Sequence, residues 1–289
     1  MKVTGVTFIR NAGKFDYPVV ESIQSLLPLV DELIVVLGKS EDNTEALIKG
    51  IDDRKIRILN SIWDDAVRKG GQVLALETNK GLAAVSQDTD WIFYLQADEV
   101  LHEADYDEIR RQMASHLHNP KVEGLLFRYL HFYGHYRYIG NSRRWYQKEV
   151  RVVRNLKGIQ SYRDAQGFRL NNQKLRVKQI QASVFHYGWV KNPYHQMEKQ
   201  KNFNLLWHSE EEVKKMVASA NEYDYSNIDS LMEFKSSHPK VMIPRIDKAN
   251  WDFVYDASKN KVKWKDKILS VLETIFNKPL FRYENYRLL

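Results

Sequence analysis

The chain has 289 residues, of which 43% are hydrophobic, a share typical of a soluble globular protein with a sizeable core. It contains no cysteine, which excludes disulfides, thiolate nucleophiles and cysteine-based zinc sites. No apolar run is long enough for a signal peptide or a membrane span, so we expect a cytoplasmic protein.

The formal net charge of +7 is unevenly distributed along the chain. Residues 1–120 carry 13 basic and 20 acidic side chains, whereas residues 121–201 carry 17 basic and only 4 acidic ones. A basic middle segment indicates an anionic partner, such as a phosphate, a phospholipid headgroup or a nucleic acid. The plain alternative is a solvated surface.

Strands and helices alternate in the first 120 residues. Hydrophobic runs predict strands at 3–9, 33–37, 56–59 and 91–95, and helical spacing predicts helices near 17–29, 45–49, 72–86 and 105–117. This alternation predicts a parallel, doubly wound α/β sheet. Later strands are predicted at 124–133, 149–154 and 179–185, and later helices at 193–208, 210–220 and 265–276.

Polar residues follow three of the predicted strands. The first strand ends in FIRN, the second leads into GKSEDNT, and the fourth ends in QADE. Because the carboxyl ends of parallel strands share one edge, we expect these segments to line one ligand pocket. The acids of QADE could hold a divalent cation and through it a diphosphate. Alternatively, they begin the next helix, whose first turn would suit Asp105, Asp107 and Glu108.

Two common nucleotide-binding motifs are missing from the sequence. There is no GxxxxGK[ST] segment, which argues against a P-loop NTPase, and no GxGxxG after the first strand, which argues against a dinucleotide-binding Rossmann domain.

In their order and spacing, the segments resemble family 2 glycosyltransferases of the GT-A fold over about the first 200 residues. The matching features are the Asn that ends FIRN, the Ser-x-Asp-x-Thr segment at Ser40, Asp42 and Thr44, the basic helix residue Lys80, the acidic QADE motif, and the His of VFHYGWV. The resemblance implies an α/β fold of the GT-A type, with a Rossmann-like, mostly parallel sheet flanked by helices. It further implies an acceptor-side subdomain and a C-terminal extension.

The resemblance also divides the chain. Residues 1–120 would form the nucleotide-sugar-binding half, residues 121–209 the acceptor-binding half of the same domain, and residues 210–289 a helical and loop extension. Two positions depart from the family pattern. Gln96 stands where the acidic motif has its first Asp, and Gly38 stands where an acid often reads the base.

The resemblance assigns candidate roles to individual residues. Asp98, which retains the last Asp of the motif, would bind a magnesium or manganese ion, with His186 completing the coordination. A packed core position is the alternative for His186, and Glu99 is expected to orient its neighbours or to pair with an arginine rather than to perform chemistry. The residues expected to contact the nucleotide sugar are Phe8, Arg10, Asn11, Asp42, Lys80 and Gln96, with a merely solvated role as the alternative for Arg10 and Lys80.

An inverting transfer by a single in-line displacement also needs a base near the acceptor hydroxyl. The only acids between Glu123 and Glu198 are Glu149 and Asp164. Asp164 lies between two strand-like segments, where the family often has an acid that faces the acceptor, so it is the predicted base. The alternative is an ion pair with a neighbouring arginine.

The predicted activity is therefore transfer of a sugar from a nucleoside-diphosphate donor to a glycan or lipid-linked acceptor, in the synthesis of a cell-envelope polysaccharide. A nucleic-acid-binding protein or a nucleotidyltransferase is the alternative, although we expect no nucleic-acid partner. Late aromatic residues, such as Trp251, Trp264 and Tyr283, either cover the sheet, which we favour, or contact the inner membrane surface. The middle aromatic residues would bind sugar or stack on bases: Tyr133, Tyr136, Tyr138, Trp145 and Tyr146.

Overall fold

The computed structural model describes residues 1–64, 67, 70–205, 211, 221–256, 258, 260–276 and 280–289. The helices in these residues are α1 (Val19–Leu26), α2 (Thr44–Lys49), α3 (Gln72–Ala83), α4 (Tyr106–His116), α5 (Pro193–Asn204), α6 (Ile243–Asp247) and α7 (Trp264–Phe276). The strands are β1 (Val3–Ile9), β2 (Glu32–Gly38), β3 (Ile56–Ser61), β4 (Trp91–Tyr94), β5 (Glu99–Leu101), β6 (Gly124–Tyr133), β7 (His135–Gly140), β8 (Lys148–Arg154), β9 (Ile159–Tyr162), β10 (Gly167–Leu170), β11 (Gln173–Lys174), β12 (Arg176–Trp189), β13 (Leu231–Glu233) and β14 (Arg287–Leu288).

Most described strands belong to one large sheet with the order β13-β7-β6-β8-β4-β1-β2-β3, and β12 joins it beside β6. The first half is parallel, since β1 pairs in parallel with both β2 and β4, and β2 with β3. The second half is mixed, because β8 runs antiparallel to β4 and β6 while β12 runs parallel to β6. The predicted α/β fold with a Rossmann-like parallel half flanked by helices is confirmed.

The parallel half is buried on both faces, which explains why its strands are continuous apolar runs. Alternate residues face opposite sides, so Val3 and Leu33 pack in a core cluster with α1 and α4, whereas Val6 and Ile34 pack in a second cluster with α3. Gly81 lets α3 approach the sheet closely, because a Cβ there would lie 2.5 Å from Val6 Cγ1.

The structure corrects the predicted ends of two helices and rules out one of the alternatives. The first helix ends at Leu26 rather than continuing to residue 29, and residues Leu27–Leu29 form a 3₁₀ turn that contains Pro28, which has no N–H to donate. The acids of QADE do not begin a helix, because Glu99 starts β5, which pairs antiparallel with β12. The fifth helix ends at Asn204, and the helix predicted at 210–220 lies almost entirely outside the described residues.

The last part of the chain returns to the main sheet. β13 extends its edge beside β7, and β14 pairs in parallel with the start of β12. Close to β14, Arg169 of β10 donates hydrogen bonds to the Tyr283 hydroxyl at 2.9 Å and to the Asn285 carbonyl at 3.1 Å. The C-terminal residues therefore pack against the small β9–β10–β11 sheet.

Among the described residues, no helix combines the length and the apolar character that crossing a bilayer requires.

Candidate functional site

The loops that follow β1 and β2 are tied to each other by Asn11 and Asp42. Asn11 has a left-handed backbone with φ of 56°, and its side-chain oxygen accepts the Glu41 N–H at 2.9 Å. Asp42 accepts the Lys14 N–H at 2.7 Å and also hydrogen bonds from Thr44. Burial raises the pKa of Asp42, but these hydrogen bonds outweigh it and lower the pKa overall. Asn11 and Asp42 thus hold the two loops at the carboxyl ends of β1 and β2 in place through hydrogen bonds within the protein.

An aromatic and cationic cluster lies beyond the end of β1. The Phe8 ring centroid is 5.9 Å from that of Trp63, and the Arg10 guanidinium lies 5.6 Å above the Trp63 ring. A Cβ at Gly38 would lie 2.5 Å from Trp63 Nε1, so this indole takes the space that a side chain at Gly38 would need. Trp63 was not identified from the sequence. The absence of a side chain at Gly38 was the only feature of the sequence that related to it.

Lys80 projects from α3 toward the end of β3. Its Nζ donates to Ser61 Oγ at 2.7 Å and pairs with Glu77 Oε1 at 2.5 Å. Lys80 also contacts the Ile62 carbonyl at 3.3 Å, which places it beside the chain segment that carries Trp63.

Asp98 is the centre of a second cluster, at the carboxyl end of β4. Its Oδ2 lies 3.6 Å from His186 Nε2 and 3.2 Å from Lys199 Nζ. A Cβ at Gly188 would come within 2.5 Å of His186 Nε2 and 2.6 Å of Asp98 Oδ2. The missing side chain of Gly188 therefore leaves a small space onto which the carboxylate and the imidazole converge.

Two lysine side chains lie close to Asp98. Burial alone would raise the pKa of Asp98, but the Lys199 ammonium and His186 outweigh it and hold the pKa well below its usual range. Lys199 and Lys191 both lie over the Tyr17 ring, at 4.7 and 4.8 Å from its centroid. Burial lowers the pKa of Lys191 to about 7. Sequence reasoning missed both lysines, although a helix directly after the His186 strand was the signal for Lys199.

The orientation of His186 is set by its neighbour on β6, His131. His131 Nε2 lies 2.9 Å from the Tyr146 carbonyl oxygen, which can only accept, so this nitrogen donates. Burial, followed by His186, lowers the pKa of His131 well below its ordinary value, so His131 is neutral and its Nδ1 accepts. His186 Nδ1, at 3.2 Å, must then donate, and its Nε2 faces Asp98.

Glu99 is buried and pairs with an arginine, as expected from the sequence. Arg151 binds it through two hydrogen bonds, Nε to Oε2 at 2.7 Å and Nη2 to Oε1 at 2.5 Å. The Tyr129 hydroxyl also donates to Glu99. Both members of the ion pair are almost completely inaccessible to solvent, so Glu99 holds β5 against β8 and is not available to a ligand.

Asp164 occupies the turn between β9 and β10. Its neighbours Arg163 and Ala165 both have left-handed backbones, with φ of 56° and 62°, a strained conformation for residues other than glycine. Gln96 Nε2 lies 3.5 Å from the Ala165 carbonyl oxygen, so the turn reaches the end of β4. Burial raises the pKa of Asp164, and hydrogen bonds from backbone N–H groups, together with Arg163, offset this only in part. The structure thus brings Gln96 and Asp164 into one region.

Glu149 is the other acid of this region. It is buried in β8, with Oε2 at 3.8 Å from Arg151 Nη1. Burial raises its pKa to about 8, Arg151 opposes this shift, and the Glu99 and Asp164 carboxylates add to it. Glu149 therefore holds a proton at neutral pH.

Several cations of the basic middle segment are paired within the protein. Arg151 is bound to Glu99, Arg169 to the C-terminal residues, and Arg154 to the carbonyls of His116 and Leu117 at the end of α4. Part of the positive charge of this segment is therefore used in internal contacts, which weighs against the interpretation of the whole segment as a nucleic-acid surface.

The middle aromatic residues are mostly packing residues. Tyr133 and Tyr136 are buried in two different core clusters. Tyr138 and Trp145 pack against the cluster that contains Tyr133. Tyr146 is the most exposed of the five, at 36%. Its ring contacts those of His131 and Tyr129, beside the Asp98 cluster.

A divalent cation, which the family resemblance implies, fits the residues around Gly188. No group of three or more His, Asp or Glu side chains that could hold a metal exists in the described part of the chain. The Asp98 Oδ2 and the His186 Nε2 nevertheless converge on one space, and both atom types bind metals in proteins. Magnesium and manganese often take only one or two protein ligands and complete their coordination with phosphate oxygens and water.

No protein-family profile and no curated protein matches this chain. Similar solved structures include glucosyl-3-phosphoglycerate synthase from Mycobacterium tuberculosis in complex with Mn²⁺, UDP and phosphoglyceric acid, at 22% identity and a TM-score of 0.30. The match covers 46% of this chain and 43% of the synthase, less than half of its length.

TarS from Staphylococcus aureus is also similar. TarS 1–349 in complex with UDP matches at 11% identity and a TM-score of 0.39, covering 75% of this chain and 70% of that one. Another TarS structure matches at 11% identity and a TM-score of 0.41, covering 75% and 42%. With identities of 22% or less and TM-scores of 0.41 or less, these structures do not assign an activity to the chain.

Proposed function

We propose that the chain is a glycosyltransferase that takes a sugar from a nucleoside-diphosphate donor. The observation that carries this proposal is the convergence of Asp98, His186 and Lys199 at the carboxyl end of β4, next to the turn of Asp164. A parallel sheet places its ligand at this edge, and a positively charged edge suits a diphosphate. The motif order shared with family 2 glycosyltransferases supports the same conclusion.

The nucleoside would lie toward β1–β3 and the diphosphate toward β4. Trp63, Phe8 and Arg10 offer an aromatic and cationic surface for the base, with Lys80 beside it. Gln96 and Lys199 lie where the diphosphate and the sugar would meet. Asn11 and Asp42 act indirectly, by holding the two loops that frame this cleft.

Asp98 and His186 would hold a magnesium or manganese ion, which when bound neutralises charge on the diphosphate leaving group. The Lys199 ammonium now contacts Asp98 and the Gly188 carbonyl, at 2.9 Å from the latter. A lysine side chain has the reach to turn from Asp98 to a phosphate oxygen, where it stabilises negative charge that develops as the glycosidic bond breaks.

Asp164 would take the proton from the acceptor hydroxyl as that oxygen attacks the anomeric carbon. Its raised pKa suits this role, because a base with a higher pKa accepts a proton more readily. With Glu149 protonated and Glu99 held by Arg151, neither of these neighbours is a free carboxylate nucleophile, so the single displacement with inversion is the favoured course.

Calorimetry with a panel of nucleoside diphosphates, with and without manganese, tests the proposal. We expect the wild type to bind at least one of them in a metal-dependent way and Asp98→Asn to lose at least about tenfold in affinity, since one charge-assisted ligand is removed. Asp107→Asn is the matched control, because Asp107 is a fully exposed acid of the adjacent helix. Diphosphate binding that is indifferent to both metal and Asp98 would reject the site.

A further inference from the structure

The helix α7 carries its apolar residues on the outside. Trp264, Ile268, Val271 and Ile275 recur at the spacing of one helix face, and they are exposed by 68%, 50%, 58% and 68%. A surface helix normally turns this face toward the core. Here it forms a solvent-exposed apolar stripe, which we call the α7 stripe.

The opposite face of α7 is fixed to the protein by its acids. Glu273 pairs with Arg143 at 2.5 Å and with Arg282 at 2.8 Å, and Asp266 lies 3.6 Å from Arg143. The Arg143 side chain is only 10% exposed, so loss of Glu273 would leave a mostly buried charge without this partner. The orientation of α7 therefore follows from a specific ionic contact that turns the apolar side chains outward.

Lysines surround the α7 stripe. Lys265 and Lys267 lie on either side of it, at about 100° per residue around the helix, and Lys261 and Lys263 directly precede the helix. All four side chains are exposed. Because the acids of this helix, Asp266 and Glu273, face Arg143, the outer surface combines apolar area with positive charge.

We infer that the α7 stripe docks on an anionic lipid surface. An interfacial helix needs an apolar face flanked by lysine or arginine, and tryptophan favours the interfacial region of the bilayer. At 13 residues, α7 is roughly 20 Å long and thus suited to lie in the plane of the surface rather than to cross it. This inference does not depend on the proposed transferase activity.

A second copy of the chain fits this surface less well. Two α7 stripes in contact would bring eight lysines together, and like charges at close range repel. Four side chains also cover far less than the roughly 800 Å² per partner that a stable interface buries. Charge and area therefore both favour a lipid surface.

Vesicle flotation tests the inference with the full chain. We expect binding to vesicles of phosphatidylcholine mixed with phosphatidylglycerol, weaker binding to phosphatidylcholine alone, and loss of the difference at high salt. The double variant Ile268→Ser with Ile275→Ser should bind roughly 10- to 100-fold more weakly. Lys265→Glu with Lys267→Glu should lose at least about tenfold on anionic vesicles only.

Leu76→Ser with Val254→Ser is the matched control, since both are exposed apolar residues of other segments. It should float like the wild type. Thermal unfolding of each variant checks that it is folded, which the exposure of the changed side chains leads us to expect. Failure of the wild type to bind anionic vesicles, or equal binding by the isoleucine double variant, would overturn the inference. So would a wild-type dimer that the same variant converts to monomers without any vesicle binding.

Discussion

The parallel half of the main sheet, β1 to β4, contributes strand-end loops to the candidate site, whereas the mixed half contributes side chains from within or just beyond its strands. FIRN and QADE follow apolar runs directly, and their residues meet at one edge because the strands are parallel. His131, Arg151 and His186 instead lie inside β6, β8 and β12. Strand-end loops of the first half thus frame the candidate site, and side chains held inside the strands of the second half complete it.

Exchanging the predicted base is the strongest way to test this division. Asp164→Asn should lower the release of diphosphate from the preferred nucleotide sugar by about 10²- to 10⁴-fold, because the amide cannot take the proton from the acceptor. Donor affinity, measured by calorimetry, should stay within about twofold, since Asp164 is proposed to act on the acceptor hydroxyl and not to hold the donor. The opposite result, in which Glu149→Gln loses turnover and Asp164→Asn keeps it, would assign the role of base to Glu149.

The neighbouring carboxylates Asp98 and Glu99 sharpen the comparison, because one faces the site and the other the core. Glu99→Gln leaves the Arg151 guanidinium buried without its counter-ion and should lower the free energy of unfolding by about 3–5 kcal/mol in urea titrations. The exposed pair of Asp107 and Arg110 is the control, and Asp107→Asn should unfold at the wild-type urea concentration. Equal stability of Glu99→Gln and the wild type would show that the buried pair does not hold β5 and β8 together.

The last expected effect is a pH dependence of stability due to Glu149. Its pKa is about 8 in the folded chain and near 4.5 when unfolded, so the folded state binds a proton that the unfolded state has lost. This contribution is fully present below pH 4.5 and is lost as the pH rises through about 8. Glu149→Gln should flatten the decrease in melting temperature between these values, as scanning calorimetry from acidic to mildly basic pH would measure. Parallel profiles for the variant and the wild type would contradict the assignment.

The sequence predicted the parallel half well because burial on both faces leaves a direct trace. Strands β1 to β4 are apolar runs, and each begins and ends within three residues of its predicted bounds. Asp98 was found because it directly follows such a run. The end of the first helix was missed because the apolar spacing continues through Pro28, where the missing N–H ends the regular helix.

The cluster around Asp98 could be predicted only in part. His186 was identified by a motif, but its partner His131 depends on the parallel register of β6 and β12, which no local pattern specifies. Lys199 reaches Asp98 because α5 folds back over the end of β12. No feature of the sequence pointed directly to Trp63, since the only trace of its position is the absence of a side chain at Gly38, which leaves room for the indole. The parts of the site that local sequence patterns do not predict are thus those set by strand register and by contacts between distant elements.

The hydrogen bonds of Arg169 to Tyr283 and Asn285 have a consequence for how the chain folds during synthesis. They join residues more than 110 positions apart, and Asn285 also fits closely against Gly167, at the base of the turn that carries Asp164. A nascent chain can form β1 to β4 as soon as they leave the ribosome, because those contacts are closer in sequence. The turn of Asp164 gains its last supports only after residue 285 has emerged, so a ribosome-bound intermediate would have the framing half ordered well before the half proposed to carry out the chemistry.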